Sequence, residues 1–184
     1  MPLNHTSIYA ELTEDHFIAI GKLVIEWSNI EFLLGVLLSR LLITPEYLGR
    51  TYTDELNALK IKNAINNAVE IHKYRYQSKI ISDNELIEVS EINVRADKLR
   101  TLRNKFAHFC WTRVSYEEIF GTSFSGKIPK SKKNAKDFIK LKLSELVDAY
   151  NEAYEIVDKL TELIRRLPQL EENQNLIKSV LLAY

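Results

Sequence analysis

Ile92-Asn93-Val94-Arg95-Ala96-Asp97-Lys98-Leu99-Arg100-Thr101-Leu102-Arg103-Asn104-Lys105-Phe106-Ala107-His108-Phe109 becomes one-sided only when wound as a helix. At about 100° per residue, Ile92, Ala96, Leu99, Leu102, Phe106 and Phe109 fall on one apolar stripe. His108 points away from that stripe, Arg103 sits nearer its edge, and Arg100 and Asn104 fill the arc between. Arg100, Asn104 and His108 are each four apart, so they stack along one edge that the long Arg103 side chain can reach. An imidazole on a polar face beside two guanidiniums and an amide suits phosphate chemistry. The plain alternative is a solvated His on a charged helix.

Outward from this segment the chain reads as helices. Ser82 or Asp83 caps the helix that ends near Phe109, with Glu85 and Glu88 in its first turns. Upstream, a long helix runs from about Thr13 to Ile43 and stops before Pro45. Phe17, Ile20, Val24, Trp27, Leu34, Leu38 and Leu41 form its expected core stripe. Glu31 falls on that stripe, where a carboxylate is costly unless paired. It either meets a cation such as Arg103, or the stripe is shifted and Ile30, Leu33 and Leu37 face the core. A second helix is expected from Thr53 or Asp54 to Tyr74, with His72 packed at the end of its apolar face.

After His108 the period changes. Trp111 to Tyr116 and Phe138 to Leu143 read as the two strands of a β-hairpin with a Gly/Ser/Lys tip. Trp111 and Phe124 either stack on bases or, more simply, pack the hairpin on the helices. Ser144 caps a fourth helix whose face is Val147, Tyr150, Tyr154, Val157, Thr161 and Ile164, and Pro168 ends it. A last helix spans about 169–182. The expected fold is all-α: one domain over residues 1–184, with a bundle of four to five helices in the core at 13–167. A small basic β-hairpin (110–143) is inserted before the fourth helix.

Composition narrows the function classes. With 46% hydrophobic residues in 184, the chain can bury a sizeable core. The single Cys110 excludes a disulfide framework within the chain and fits a reducing cytoplasm. The most apolar stretch, Ile30 to Ile43, carries Glu31 and Arg40 and is short of the roughly 20 residues a membrane span requires, so no membrane partner is expected. The four His and one Cys lack zinc-ligand spacing, and no Gly-rich phosphate loop follows a strand, so neither metal nor cofactor is expected.

Net charge is zero but unevenly spread. Residues 1–94 hold 8 Lys and Arg against 13 Asp and Glu; residues 95–142 hold 13 against 4; residues 143–184 hold 4 against 8. A basic middle third on an acidic body fits a polyanion surface. Arg100, Lys105, Arg113, Lys127, Lys130, Lys132 and Lys133 are its candidate RNA contacts.

Leu102-Arg103-Asn104-Lys105-Phe106-Ala107-His108 resembles the signature of the HEPN superfamily of helical ribonucleases and toxins, an Arg, a polar residue and a His after four to six intervening positions. Glu26-Trp27-Ser28-Asn29-Ile30-Glu31 is similar to the family's opening helix. The resemblance implies a HEPN-like bundle and a metal-independent endoribonuclease working as a homodimer, in a toxin or defence role, with RNA and an antitoxin or regulatory protein as partners. It assigns catalysis to Arg103, His108 and Asn104, beside a supporting Glu31. Toxins paired with a nucleotidyltransferase antitoxin often carry Tyr two residues after the His; here that position is Cys110. The other reading is a non-catalytic HEPN-like module that binds a partner protein, nucleotide or RNA.

Overall fold

Among the described residues, strong helix signals yield five helices, and the change of period after His108 yields three short strands. The computed structural model describes residues 10–123 and 138–170. In chain order the elements are α1 (Glu14–Leu41), α2 (Glu46–Thr53), α3 (Ala58–Tyr74), α4 (Asp83–His108), β1 (Cys110–Arg113), β2 (Glu118–Thr122), β3 (Phe138–Lys142) and α5 (Leu143–Arg166). The protein is mainly helical with one small antiparallel sheet. No single helix among the described residues is long and apolar enough to cross a membrane. Contacts divide the chain into two compact units, residues 1–28 with 98–155 and residues 29–97 with 156–184.

In the second unit, helix ends carry much of the specification. Ser82 and Glu85 form a reciprocal capping box: the Glu85 amide donates to Ser82 Oγ at 3.3 Å, and the Ser82 amide donates to Glu85 Oε2 at 2.9 Å. The end of α1 is a Schellman turn, with the Thr44 amide bonded to Ser39 O and the Ile43 amide to Arg40 O, both at 3.1 Å. Ile43 takes the left-handed position, φ 50°, where glycine is usual and a β-branched residue is strained by about 1–2 kcal/mol. Ile43→Gly is therefore expected to stabilise the fold by about 1 kcal/mol, read as a higher urea midpoint with unchanged slope.

That turn leads into α2, a helix that no sequence period announces. The second helix expected from Thr53 or Asp54 is instead two, and Asn57 caps α3 by accepting the Lys60 amide at 3.0 Å. His72 is buried as expected, and its Nε2 donates to Leu41 O at 2.7 Å, satisfying a carbonyl that the end of α1 leaves open. Asn93, also buried, donates to Lys62 O and Asn66 Oδ1, while Lys62 pairs with Asp97 at 3.3 Å. Glu31 is half-buried in a stretch where both sets of positions turn inward: Leu34, Leu38 and Leu41 of the expected stripe and Ile30 and Leu37 of the shifted one are buried, and Leu33 is half-buried.

The first unit is built around the sheet. The expected hairpin of two strands is a three-stranded meander in the order β1-β2-β3, so Phe138–Lys142 pairs with Glu118–Thr122 and not with the strand after His108. β2 reads as a loop in sequence because Gly121 interrupts it. The glycine is required: a Cβ there would lie 2.7 Å from Trp111 Cζ3. Trp111 stacks on Phe106 at 4.8 Å between ring centres, so packing, the simpler of its two readings, is its use. Leu12, Ala19, Ile119, Leu141 and Leu146 form a buried cluster in this unit, with Leu102, Phe106 and Ile139 against it.

Two helix faces differ from expectation. In the first half of α1, His16, Ala19, Leu23 and Trp27 are buried while Phe17 and Val24 are exposed. In α5, Leu146, Ala149, Ala153, Ile156, Leu160 and Leu163 are buried while Val147 and Tyr154 are exposed. Nor does Ser144 cap α5. The helix starts one residue earlier, and Glu145 accepts the Lys142 amide at 2.7 Å. The expected helix at 169–182, apart from Gln169 and Leu170, lies outside the described residues, as do Phe124 and the basic hairpin tip.

Candidate functional site

The last two turns of α4 hold the motif. The apolar stripe expected there holds: Ile92, Ala96 and Leu99 are buried, and Leu102, Phe106 and Phe109 are half-buried. Packing of that stripe leaves the opposite face for polar groups. Arg103 and Asn104 are half-buried and in contact, with the Arg103 guanidinium donating from Nη1 to Asn104 Oδ1 at 3.4 Å. His108, the final residue of α4, is exposed. It follows Asn104 by one turn, about 6 Å along the axis.

The chain turns directly from His108 into β1, and that turn is held from both sides. The Phe109 amide continues the helical ladder to Lys105 O at 2.9 Å. Trp111 stacks on Phe106 and lies 6.1 Å from Phe109 between ring centres. These ring contacts on the apolar side of α4 brace the helix end, and His108 is exposed.

The other expected site residues scatter. Arg100 is half-buried and partnered, and Lys105 is half-buried. Arg113, on β1, is exposed and lies 3.9 Å from Glu11 Oε2. Lys127, Lys130, Lys132 and Lys133 lie outside the described residues. Glu31 belongs to the second unit, where it lines a cavity of about 330 Å³ with Phe32, Gly35, Arg50, Thr53 and Asp54. Arg50 there covers the Phe32 ring at 4.4 Å, donates to Phe32 O at 3.0 Å and pairs with Asp54 at 2.6 Å, so its charge is neutralised locally. Among the described residues no group of three His, Cys, Asp or Glu side chains could hold a metal ion.

A further histidine matters although its sequence position gives no sign of it. His16 is buried at the start of α1, its Nδ1 accepting from the Thr13 amide at 3.3 Å and lying 2.6 Å from Thr13 Oγ1. Burial lowers its pKa below the ordinary 6.5; Asp15 and Glu117 oppose this and Arg113 adds to it. A base depressed in the folded state contributes its full stability above 6.5 and loses it as pH falls from there toward the folded value, because the unfolded chain takes the proton first. The melting temperature is expected to drop below pH 6.5, with a slope bounded by about 1.4 kcal/mol per pH unit. His16→Asn should flatten that part of the profile while leaving the pH 8 value close to wild type.

No protein-family model, no curated protein and no solved structure matches this chain.

Proposed function

We propose that this protein is a metal-independent endoribonuclease of the HEPN kind that works as a homodimer, in a toxin or defence role. The observation that carries the reading is the Arg103-Asn104-x3-His108 motif at the end of α4, with the guanidinium tied to Asn104 and the imidazole in solvent. A mainly helical fold is in keeping with it.

The chemistry follows from these groups. His108 takes the proton of the ribose 2′-hydroxyl, the 2′-oxygen bonds to phosphorus, and the bond to the 5′-oxygen breaks. Arg103 binds the phosphate through paired N–H donors and stabilises the charge that develops on it. Asn104 orients the guanidinium. One imidazole serves poorly as base and acid in the same event, so His108 of a second copy protonates the leaving 5′-oxygen. Arg100, Lys105 and Arg113 hold the flanking phosphates. RNA incubated with the protein in EDTA is expected to yield 2′,3′-cyclic phosphate and 5′-hydroxyl ends. A divalent-metal requirement, or 3′-hydroxyl products, would sink the reading.

A second reading is a non-catalytic HEPN-like module that binds RNA, a nucleotide or a regulatory protein. It is favoured by the motif occurring once in the chain and by Cys110 in place of the tyrosine. It predicts RNA retention with no product.

A further inference from the structure

Helix α1 has two apolar stripes and buries only one. The other lies in the first unit on the solvent side: Phe17 is 46% exposed, Ile18 47%, Val24 37% and Ile25 62%. At its centre is Gly21, exposed, with no atom within 4 Å of where a Cβ would be. Glycine inside a helix costs about 1 kcal/mol relative to alanine. No packing among the described residues calls for it. It leaves room for a body that approaches the helix backbone from outside.

The arrangement around Gly21 identifies that body. Ile18 and Val24 stand three residues to either side, Phe17 and Ile25 four, Glu14 and Ser28 seven. The stripe is a palindrome about the glycine. A two-fold contact uses the same patch on both partners and therefore needs a surface that complements itself when reversed. Two α1 helices crossing antiparallel at Gly21 set Phe17 of one copy level with Ile25 of the other, and Ile18 level with Val24. Glu14 of one copy then comes level with the Ser28 hydroxyl of the other. The glycine lets the backbones close far enough for these side chains to interdigitate.

A single stripe falls short of the roughly 800 Å² per partner of a stable interface. The same unit supplies the remainder. A groove of about 300 Å³ runs beside the stripe between Ile18 and Lys22 of α1 and Val147, Tyr150 and Asn151 of α5. Lys22 covers the Tyr150 ring at 5.4 Å, and Val147 and Tyr154 stand exposed along the same face. Among the described residues, exposed apolar groups of two neighbouring helices thus flank one groove.

We infer that the outward face of α1, centred on Gly21 and widened by the start of α5, is a two-fold interface with a second copy of this chain. The inference concerns how copies meet. It goes beyond the proposed function, which assigns no surface to the pair, and holds whether or not the pair cleaves RNA.

The test is the oligomeric state of the full chain by sedimentation velocity. Wild type is expected to be a dimer. Gly21→Leu and Ile25→Glu should each weaken association by roughly 100-fold or more. Helical circular dichroism should stay intact, because neither position packs within its own unit. With Cys110→Ser removing the native thiol, Gly21→Cys should form a disulfide with its symmetry mate, while Glu14→Cys alone should not. A monomeric wild type, a dimer indifferent to both substitutions, or equal crosslinking at positions 14 and 21 would each overturn the inference. His108→Ala should leave association unchanged. An intact Gly21-centred dimer without RNA cleavage would therefore overturn only the nuclease reading.

Discussion

His108→Ala is expected to lower RNA cleavage in EDTA by roughly 10²–10⁴-fold, the usual worth of a positioned acid or base. The ring is exposed at the end of α4, so its removal opens no cavity and the thermal midpoint should stay within about 0.5 kcal/mol of wild type. Arg103→Lys separates charge from geometry. Lysine keeps the positive charge but lacks the planar fork that pairs with two phosphate oxygens. A loss of roughly 10²–10³-fold is expected if Arg103 stabilises the developing phosphate charge, and little change if it only attracts RNA. Asn104→Ala removes the acceptor 3.4 Å from Nη1 and should raise KM more than it lowers kcat, since it frees the guanidinium without removing it. Cleavage by His108→Ala at the wild-type rate would end the nuclease reading, whatever the other variants did.

The largest expected effect on stability lies in the second unit, at Gly49. A Cβ at this position would lie 2.5 Å from Ser39 Cβ and 2.8 Å from Thr44 Oγ1. Ser39 is buried and donates to Gly35 O at 3.0 Å, and the Thr44 hydroxyl donates to Ser39 O at 3.1 Å. Neither neighbour can yield without giving up a hydrogen bond. Gly49→Ala must push α2 away from α1 and disturb the half-buried Arg40–Glu46 pair, 3.1 Å apart. Overpacking of this kind costs about 1–3 kcal/mol, and Gly49→Val more. Chemical denaturation measures it. Ser39→Gly in the same chain should recover part of the loss, so a double-mutant cycle should show coupling of more than about 0.5 kcal/mol. Additive effects would mean that the contact is not the cause.

The chain states its helix ends plainly. Pro45, the Ser82–Glu85 box and Pro168 act within one turn, so their effects are legible without any partner segment. The motif and its exposed face were legible for the same reason, because the α4 stripe from Ile92 to Phe109 has no competing stripe. Glycines were harder to read. Gly121 looks like a loop signal, yet it marks the close approach of Trp111, just as Gly49 marks that of Ser39 and Thr44; no local period shows these contacts in α2 and β2. Tertiary structure alone decided which apolar stripe turned inward on α1 and α5. Both helices carry two, and the choice falls to whichever fits the segments packed beside it. In α1 Ala19 and Leu23 went in, and Phe17 and Val24 stayed out. Local sequence sets where a helix starts and stops through bonds one turn long. The face it buries is set by shape complementarity with residues a hundred positions away, which no local period records.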